Sequence, residues 1–241
     1  MNQETISSWY NNFYTRKEVN KKLSPWRRTT FQLICELGLK GKILDVGCGD
    51  GGLLFELIKS SMFGKEDIYG IDISKSAINI SRARLGIPEE HLKTYDIESS
   101  ELPFRQEFFD IVVMNDVIEH LQHPFKSLPK TLKMLKVKGH LVISFPNYTN
   151  LPWLALRILA EKLKRPGWIV LQPVDHIFFY RGLKDLLVKR FGLKFITSRG
   201  SVFFPPLLYK FEPRIFSLVL NKLGLAFLSF HPVLVFKKNE K

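Results

Sequence analysis

The chain has 241 residues, of which 45% are hydrophobic and two are cysteines, and its formal net charge is +13. This composition is typical of a globular protein and excludes a disulfide-rich scaffold. Residues 1–120 carry 15 Lys/Arg and 18 Asp/Glu, a balance of −3, whereas residues 121–241 carry 21 and 5, a balance of +16. The basic second half indicates an anionic partner (a phosphate-bearing substrate, a membrane surface or nucleic acid) or else a solvated basic face.

Residues 1–38 are predicted to form two helices before the first strand. Aromatic side chains recur at helical spacing in the first of them, at Trp9, Tyr10, Phe13 and Tyr14. Pro25 is typical of a helix start and Gly38 of a helix end. The aromatic cluster either covers a ligand or packs in the core.

Strands then alternate with helices as far as residue 145. Strands are predicted at 43–46, 67–72, 91–95, 109–114 and 139–145, with helices at 53–58, 75–85 and 124–135. Alternation of this kind implies parallel strands covered by helices on both faces. The sequence therefore predicts a doubly wound α/β domain.

The remainder is less regular. An apolar helix with a basic end is predicted at 151–163, a second helix at 183–191, and strands at 193–198 and 231–236. Pro232 favours an edge strand or the start of a strand. Charged residues interrupt the apolar segments 151–163 and 215–230, so neither is expected to span a membrane. Both segments suit either a membrane surface or a lid and a core helix.

The glycine-rich stretch at 47–52 is the clearest functional signal. A short apolar strand containing Asp45 runs directly into Gly47, Gly49 and Gly51, and a helix follows. This strand–turn–helix unit is where α/β proteins bind nucleotide-like cofactors. With Gly52 the stretch also satisfies the GxGxxG pattern of nicotinamide-dependent oxidoreductases. A carboxylate before the first glycine does not suit a pyrophosphate, but it suits a cofactor with an ammonium group.

Two further carboxylates end neighbouring predicted strands. Asp72 lies 21 residues after Gly51, about the distance at which an acidic residue reaches ribose hydroxyls in such folds. Asp96 ends the next strand, in a position to reach an adenine edge. Because strand ends converge on one crevice, we expect one cofactor site.

Several segments together resemble a known family. They read ILDVGCGDG at 43–51, GIDIS at 70–74, FDIVV at 109–113, VIEHL at 117–121, GHLVISFPN at 139–147, and the stretch from 175 to 193. They resemble class I S-adenosylmethionine-dependent methyltransferases, in particular the ubiquinone-biosynthesis-like O-methyltransferase branch. The resemblance covers most of residues 40–200. It implies a Rossmann-like methyltransferase fold with a mostly parallel, seven-stranded sheet, and S-adenosyl-L-methionine as cofactor.

The resemblance also implies a domain organisation. We expect an N-terminal helical cap at 1–40, a cofactor-binding α/β core at 41–147, an apolar, basic helical insertion or lid at 148–180, and the end of the α/β fold at 181–241.

Roles for individual residues follow from the same resemblance. The glycines Gly47, Gly49 and Gly51 would lie along the methionine part of the cofactor, and Asp45 near its amino group. The other residues implied at the cofactor are Cys48 and Asp50 in the turn, Asp72 and Ile73 at the ribose, Asp96 and Ile97 at the adenine, and Asn115 and Asp116 at the sulfonium. We expect no metal site.

A base is needed if the methyl acceptor is a hydroxyl group. His120 is the first candidate for that base, and Glu119 and His176 follow. The alternative for His120 is a structural histidine that orders its loop.

These observations favour an O-methyltransferase acting on a small-molecule, lipid-linked or glycan acceptor. Alternatives are a nucleic-acid methyltransferase, suggested by the basic half, and a protein that binds S-adenosylmethionine without catalysis. The lack of a signal-peptide pattern at residues 1–5 predicts a cytoplasmic protein, and the basic apolar half allows peripheral association with a membrane.

Overall fold

Seven strands form one sheet in the order β3-β2-β1-β4-β5-β7-β6. The computed structural model describes residues 3–16, 22–163, 172–204 and 212–240. The strands are β1 (Ile43–Val46), β2 (Ile68–Asp72), β3 (Leu92–Thr94), β4 (Phe109–Asn115), β5 (Leu135–Ser144), β6 (Leu193–Gly200) and β7 (Pro232–Lys238). Strand β7 is antiparallel to both its neighbours, and all other pairs are parallel. The predicted doubly wound, mostly parallel sheet is confirmed.

Eight α-helices lie in the described part of the chain. They are α1 (Gln3–Arg16), α2 (Pro25–Glu36), α3 (Gly52–Lys59), α4 (Lys75–Leu85), α5 (Pro124–Met134), α6 (Leu151–Leu163), α7 (Tyr180–Lys189) and α8 (Arg214–Lys222). The predicted bounds of α4 and α6 are those observed. Ser74 caps α4, because its hydroxyl oxygen accepts the backbone N–H of Ala77 at 3.1 Å.

Two predicted starts differ from the structure by three residues or more, and the other strand and helix limits by at most two. Strand β5 begins at Leu135, not at residue 139, because Leu135 pairs with Phe109 before an irregularity shifts the register. Polar residues at that irregularity hid the first part of the strand. Helix α7 begins at Tyr180, not at residue 183. Pro232 starts β7, which is an interior strand, so the strand-start alternative is the one observed.

Side chains that alternate along the strands build two hydrophobic layers. Ile43 lies in the layer with α2, α3 and α4, while its neighbour Leu44 lies in the layer with α5 and α7. Both side chains are fully buried. Burial on both faces explains why the central strands read as continuous apolar runs and not as alternating patterns.

Helices α1, α6 and α8 lie outside these two layers. Helix α1 contacts α4. Helix α6 follows β5, and α8 is joined to the end of β6 by two hydrogen bonds between Asn221 and Gly200, at 2.7 and 2.9 Å. Among the residues described, no helix is both long enough and apolar enough to cross a membrane.

Candidate active site

A cavity of about 340 Å³ opens at the carboxyl ends of β1, β2 and β4. The strand order reverses at β1, which has β2 on one side and β4 on the other. A crevice forms at such a reversal because the flanking connections leave in opposite directions. Nine of the sequence-predicted residues line the cavity: Gly47, Asp50, Asp72, Ile73, Asp96, Ile97, Asn115, Asp116 and His120.

The glycine turn is shaped by close contacts within the chain. Gly47 and Gly49 have φ of 72° and 57°, a region that side chains rarely occupy. A Cβ on Gly47 would lie 2.4 Å from a methyl carbon of Val117, and one on Gly49 would lie 2.4 Å from the hydroxyl of Tyr14. Cys48, Gly49 and Gly51 belong to the turn without lining the cavity.

Asp72 fixes the turn to the end of β2. One carboxylate oxygen accepts the backbone N–H of Gly49 at 2.9 Å, and the other accepts that of Ser74 at 2.9 Å. Asp96, at the end of the strand beside it, accepts the N–H of Glu98 at 2.8 Å. Both carboxylates line the cavity, so the predicted pair is brought together at one wall.

Asp45 is buried behind the turn and does not line the cavity. It is 3% exposed, and burial raises the pKa of its carboxyl group to about 7. Its Oδ1 atom and the Nδ2 atom of Asn115 are buried without a hydrogen-bond partner. Buried polar groups are rarely left unsatisfied, so these two atoms mark places where a ligand group would be stabilised.

Arg27, in the first turn of α2, is a site residue that the sequence did not reveal. It lines the cavity and its guanidinium lies 3.4 Å from Asp50 Oδ1. Its positive charge faces the carboxylates of Asp45, Asp50 and Asp116, and Asp50 is also paired with Arg84 at 3.2 Å. Pro25 predicted the helix start, but no spacing in the sequence shows that this start packs against the glycine turn.

Asp116 has a second unexpected partner, His231, the first residue of the strand predicted at 231–236. The Nε2 atom of His231 lies 3.1 Å from Asp116 Oδ1, which also accepts the hydroxyl of Ser144 at 3.2 Å. The imidazole ring stacks on Trp26, with centroids 4.1 Å apart. Burial would raise the pKa of Asp116, but the charge and hydrogen bond of His231 outweigh it and lower that pKa. Asp116 therefore presents an ionised carboxylate to the cavity.

The three candidate bases lie in different surroundings. His120 lines the cavity, and its Nδ1 atom lies 2.9 Å from the carbonyl oxygen of Val174. A carbonyl oxygen only accepts, so Nδ1 carries the hydrogen and Nε2 carries the lone pair. Burial also lowers the pKa of His120, which keeps the imidazole neutral.

The other two candidate bases lie elsewhere. Glu119 is fully buried outside the cavity lining, and burial raises its pKa well above the usual range. His176 is exposed and bonds the carbonyl oxygen of Leu121.

The aromatic face of α1 forms one wall of the cavity. Its lining residues are Trp9, Tyr10, Phe13 and Tyr14. The hydroxyl of Tyr10 donates to Gln172 Oε1 at 2.5 Å, so α1 is joined across the cavity to the segment before α7. Of the two alternatives for this cluster, the structure shows side chains that line a cavity.

Comparison with known proteins identifies the class. A family model described as a methyltransferase domain matches residues 39–172, more than half of the chain. The ubiquinone biosynthesis O-methyltransferase of Proteus mirabilis is 33% identical over 129 residues, which cover 52% of this chain and 50% of that protein. The mitochondrial ubiquinone biosynthesis O-methyltransferase of Candida albicans is 27% identical over 176 residues, 70% of this chain and 53% of that protein. The chain thus spans about half the length of these curated relatives.

Solved structures agree on the fold. Geranyl diphosphate C-methyltransferase from Streptomyces coelicolor, with S-adenosyl-L-homocysteine bound, superposes with a TM-score of 0.61 at 15% identity, covering 98% of this chain and 97% of the other. Magnesium protoporphyrin IX methyltransferase from Synechocystis, also with that product bound, gives a TM-score of 0.61 at 15% identity, covering 99% of this chain and all of the other. The protein belongs to the methyltransferase-domain family, within the class I S-adenosylmethionine-dependent methyltransferases.

The cavity suits the cofactor of this family. S-adenosylmethionine carries a sulfonium, an ammonium group, a carboxylate, a ribose diol and an adenine ring. Carboxylates in the cavity match the two cationic groups and the ribose diol in charge and hydrogen bonding. The guanidinium of Arg27 matches the carboxylate, and the apolar side chains of Ile73 and Ile97 match the adenine ring. Its volume lies in the range of about 300–1,000 Å³ that is usual for small-molecule sites.

Proposed function

We propose that this protein transfers a methyl group from S-adenosylmethionine to a hydroxyl of a small-molecule, lipid-linked or glycan acceptor. The observation that carries the proposal is His120, a neutral imidazole with its lone pair on Nε2, in the same cavity as the cofactor-type carboxylates. The relatives named as ubiquinone biosynthesis O-methyltransferases support a hydroxyl acceptor.

The cofactor would lie along the carboxyl ends of three strands. Asp72 would accept the ribose hydroxyls, and the adenine would lie between Ile73 and Ile97 with its edge at Asp96. At the other end the backbone of residues 47–51 would follow the methionine part, with Arg27 at its carboxylate. When bound, the cofactor supplies the electrophilic methyl group.

Two further carboxylates would serve the charges of the cofactor. Asp45 Oδ1 has no hydrogen-bond partner among the described residues. From its place behind the glycine turn, the carboxylate would stabilise the positive charge of the cofactor's ammonium group. Asp116 would lie at the sulfonium, and its ion pair with His231 keeps its carboxylate ionised and its position fixed. Asn115, whose Oδ1 atom accepts the hydroxyl of Thr30 at 2.9 Å, would offer its free Nδ2 donor in the same region.

His120 would accept the proton of the acceptor hydroxyl. Its Nδ1–H donates a hydrogen bond to the carbonyl oxygen of Val174. This bond fixes the orientation of the ring and leaves the lone pair on Nε2 to accept the proton. Glu119 Oε1 lies 3.5 Å from Nε2, and because burial raises the pKa of that carboxyl group it would stand beside the imidazole as a neutral acid. General-base assistance of this kind contributes about 10²–10⁴-fold to rate.

The walls around His120 favour an acceptor with a flat or apolar body. Trp9, Phe13, Trp26 and Leu121 line the cavity, and Tyr10 and Gln172 close it on one side. A ring or an isoprenoid chain would pack on these aromatic faces and place its hydroxyl at the imidazole.

Transfer of a radiolabelled methyl group tests the proposal. The purified protein is incubated with labelled S-adenosylmethionine and with separate lipid, glycan, small-molecule and RNA fractions. We expect label in a lipid, glycan or small-molecule product that resists mild base, as a methyl ether does and a methyl ester does not. Label in RNA alone would refute the acceptor class. Binding of S-adenosylmethionine with no labelled product in any fraction would favour a non-catalytic role.

A further inference from the structure

Helix α6 buries a charged side chain and leaves several aliphatic side chains exposed, unlike an ordinary surface helix. The guanidinium-bearing side chain of Arg157 is buried at 6% exposure, whereas Leu151, Ile158 and Leu159 are exposed at 70%, 44% and 47%. A surface helix of a globular protein buries its aliphatic stripe and exposes its charges. The exposed stripe of α6 therefore lacks the covering that its composition requires.

The buried arginine is held by a full set of partners. Its guanidinium bonds the hydroxyl of Tyr148 at 2.8 Å, Glu161 at 2.9 Å, the carbonyl oxygen of Asp175 at 3.1 Å, and the carboxylate of Asp175. A buried charge is tolerated when it is paired and hydrogen-bonded in this way. These bonds fix the rotation of α6, so the outward position of its aliphatic side chains is imposed by the fold.

Helix α8 presents a second uncovered apolar face. Ile215, Leu218, Val219 and Leu223 are exposed at 73%, 56%, 47% and 66%, and they recur at the spacing of one helical face. None of the α8 side chains that the structure describes is buried. A contiguous apolar surface of this kind on a water-soluble domain marks an interaction site.

The two faces belong to one region of the molecule, at the edge of the sheet where the cavity opens. The indole N–H of Trp153, on α6, donates to the carbonyl oxygen of Phe204 at 3.1 Å, and the ring of Phe204 contacts that of Phe216, on α8, at 5.1 Å. Asn150, just before α6, donates to the carbonyl oxygen of Leu228, which is also exposed. We define the docking face as the exposed side chains Leu151, Ile158, Leu159, Ile215, Leu218, Val219, Leu223 and Leu228.

Charge selects the partner of the docking face. Lys162 and Lys222, at the ends of α6 and α8, are exposed, in a half of the chain that carries 21 Lys/Arg against 5 Asp/Glu. All five carboxylates are occupied within the chain: Asp175 and Glu161 by Arg157, Asp185 by Lys189, Glu240 by Lys138, and Glu212 by two backbone N–H groups. Large aliphatic side chains within a positive field match a bilayer with anionic headgroups.

We propose that α6 and α8 dock this protein on an anionic lipid bilayer, with the cavity facing the membrane surface. The proposal deepens the proposed function, because a docked cavity would draw its acceptor from the membrane. Arg157 links the docking face to the site through residues 172–175, since Gln172 accepts the hydroxyl of Tyr10 and the carbonyl of Val174 holds His120. Docking is a property of the surface and can be measured without any methyl acceptor.

Flotation of the purified protein with vesicles tests the docking. We expect the protein to float with vesicles of phosphatidylcholine and phosphatidylglycerol, to bind pure phosphatidylcholine more weakly, and to be partly released by salt because the basic charge is screened. The double variant Ile215→Gln/Leu218→Gln should lose at least tenfold in vesicle affinity. The matched control is Leu37→Gln/Val137→Gln, two side chains that are each 38% exposed and lie far from the docking face, beside the amino ends of the strands. It should bind as the unaltered protein does.

Circular dichroism and size-exclusion chromatography complete the test. The two double variants should keep the far-ultraviolet spectrum of the unaltered protein, since they change exposed side chains. Equal vesicle binding by both variants, or no binding by the unaltered folded protein, would overturn the docking proposal. A dimer in solution that Ile215→Gln/Leu218→Gln converts to a monomer would also overturn it, because the face would then be covered by a second copy. If the proposed function is right, the protein should transfer methyl groups to a detergent-dispersed acceptor whether or not it docks on vesicles.

Discussion

Replacing Asp45 by Asn should stabilise the protein, and increasingly so as the pH rises. The carboxyl group is buried, and its pKa is about 7 in the folded protein against an ordinary value of 3.8. Between those two values the folded state binds a proton that the unfolded state has released. The free energy of unfolding therefore falls as the pH rises through this window, by at most about 1.4 kcal/mol per pH unit. Asn has the shape of the protonated carboxyl and carries no such penalty.

The magnitude follows from the pKa difference of about 3 units. In the protein without cofactor, we expect Asp45→Asn to be more stable than the unaltered protein by about 2 kcal/mol at pH 5 and about 4 kcal/mol at pH 8. Urea unfolding of both proteins at several pH values gives the difference in their free energies of unfolding. The other titratable groups are present in both proteins, so their contributions cancel in that difference. The matched control is Asp185→Asn, at a carboxylate whose side chain is 59% exposed. Its stability difference should vary by a few tenths of a kcal/mol at most, because water screens the charge.

One result would refute this reasoning. If the stability difference between Asp45→Asn and the unaltered protein were the same at pH 5 and at pH 8, the carboxyl group would not titrate in this window. Burial would then not govern its pKa, and the unpartnered Oδ1 atom would no longer indicate a place that a cofactor ammonium group stabilises.

Three further predictions concern the site itself. Affinity for S-adenosylmethionine, measured by calorimetry, should weaken as the pH falls below 7 because Asp45 becomes protonated, and this pH dependence should vanish in Asp45→Asn. Asp116→Asn should reduce the preference for the cationic S-adenosylmethionine over the neutral S-adenosylhomocysteine, with His231→Gln giving a smaller effect in the same direction. An unchanged ratio would separate Asp116 from the sulfonium. His120→Ala should lower the rate of methyl transfer by about 10²–10⁴-fold with little change in cofactor affinity, whereas His176→Ala should remain active. Equal losses in both would contradict the assignment of the base.

The sequence was sufficient for the core of the fold because the signals there are local. The strand before Gly47 and the helix after it are short apolar segments separated by an obligatory turn, and Asp72 and Asp96 follow from the convergence of parallel strand ends. The start of β5 escaped prediction, since an irregularity near Gly139 interrupts the apolar pattern of that strand.

The parts of the site that the sequence did not predict depend on contacts between distant segments. Arg27 reaches the glycine turn from α2, and His231 reaches Asp116 from the far end of the chain. No periodicity or spacing connects those positions. In the same way, the composition of residues 151–163 shows an apolar helix with charges, but only the packing of Arg157 shows which face is turned outward.

A crystal structure with S-adenosylhomocysteine tests most directly whether the cavity is the cofactor site. We predict the ribose hydroxyls at Asp72, the adenine between Ile73 and Ile97 with its edge at Asp96, and the homocysteine carboxylate at Arg27. Electron density for the ligand outside the cavity, or inside it with the adenine at the Arg27 end, would contradict the assignment.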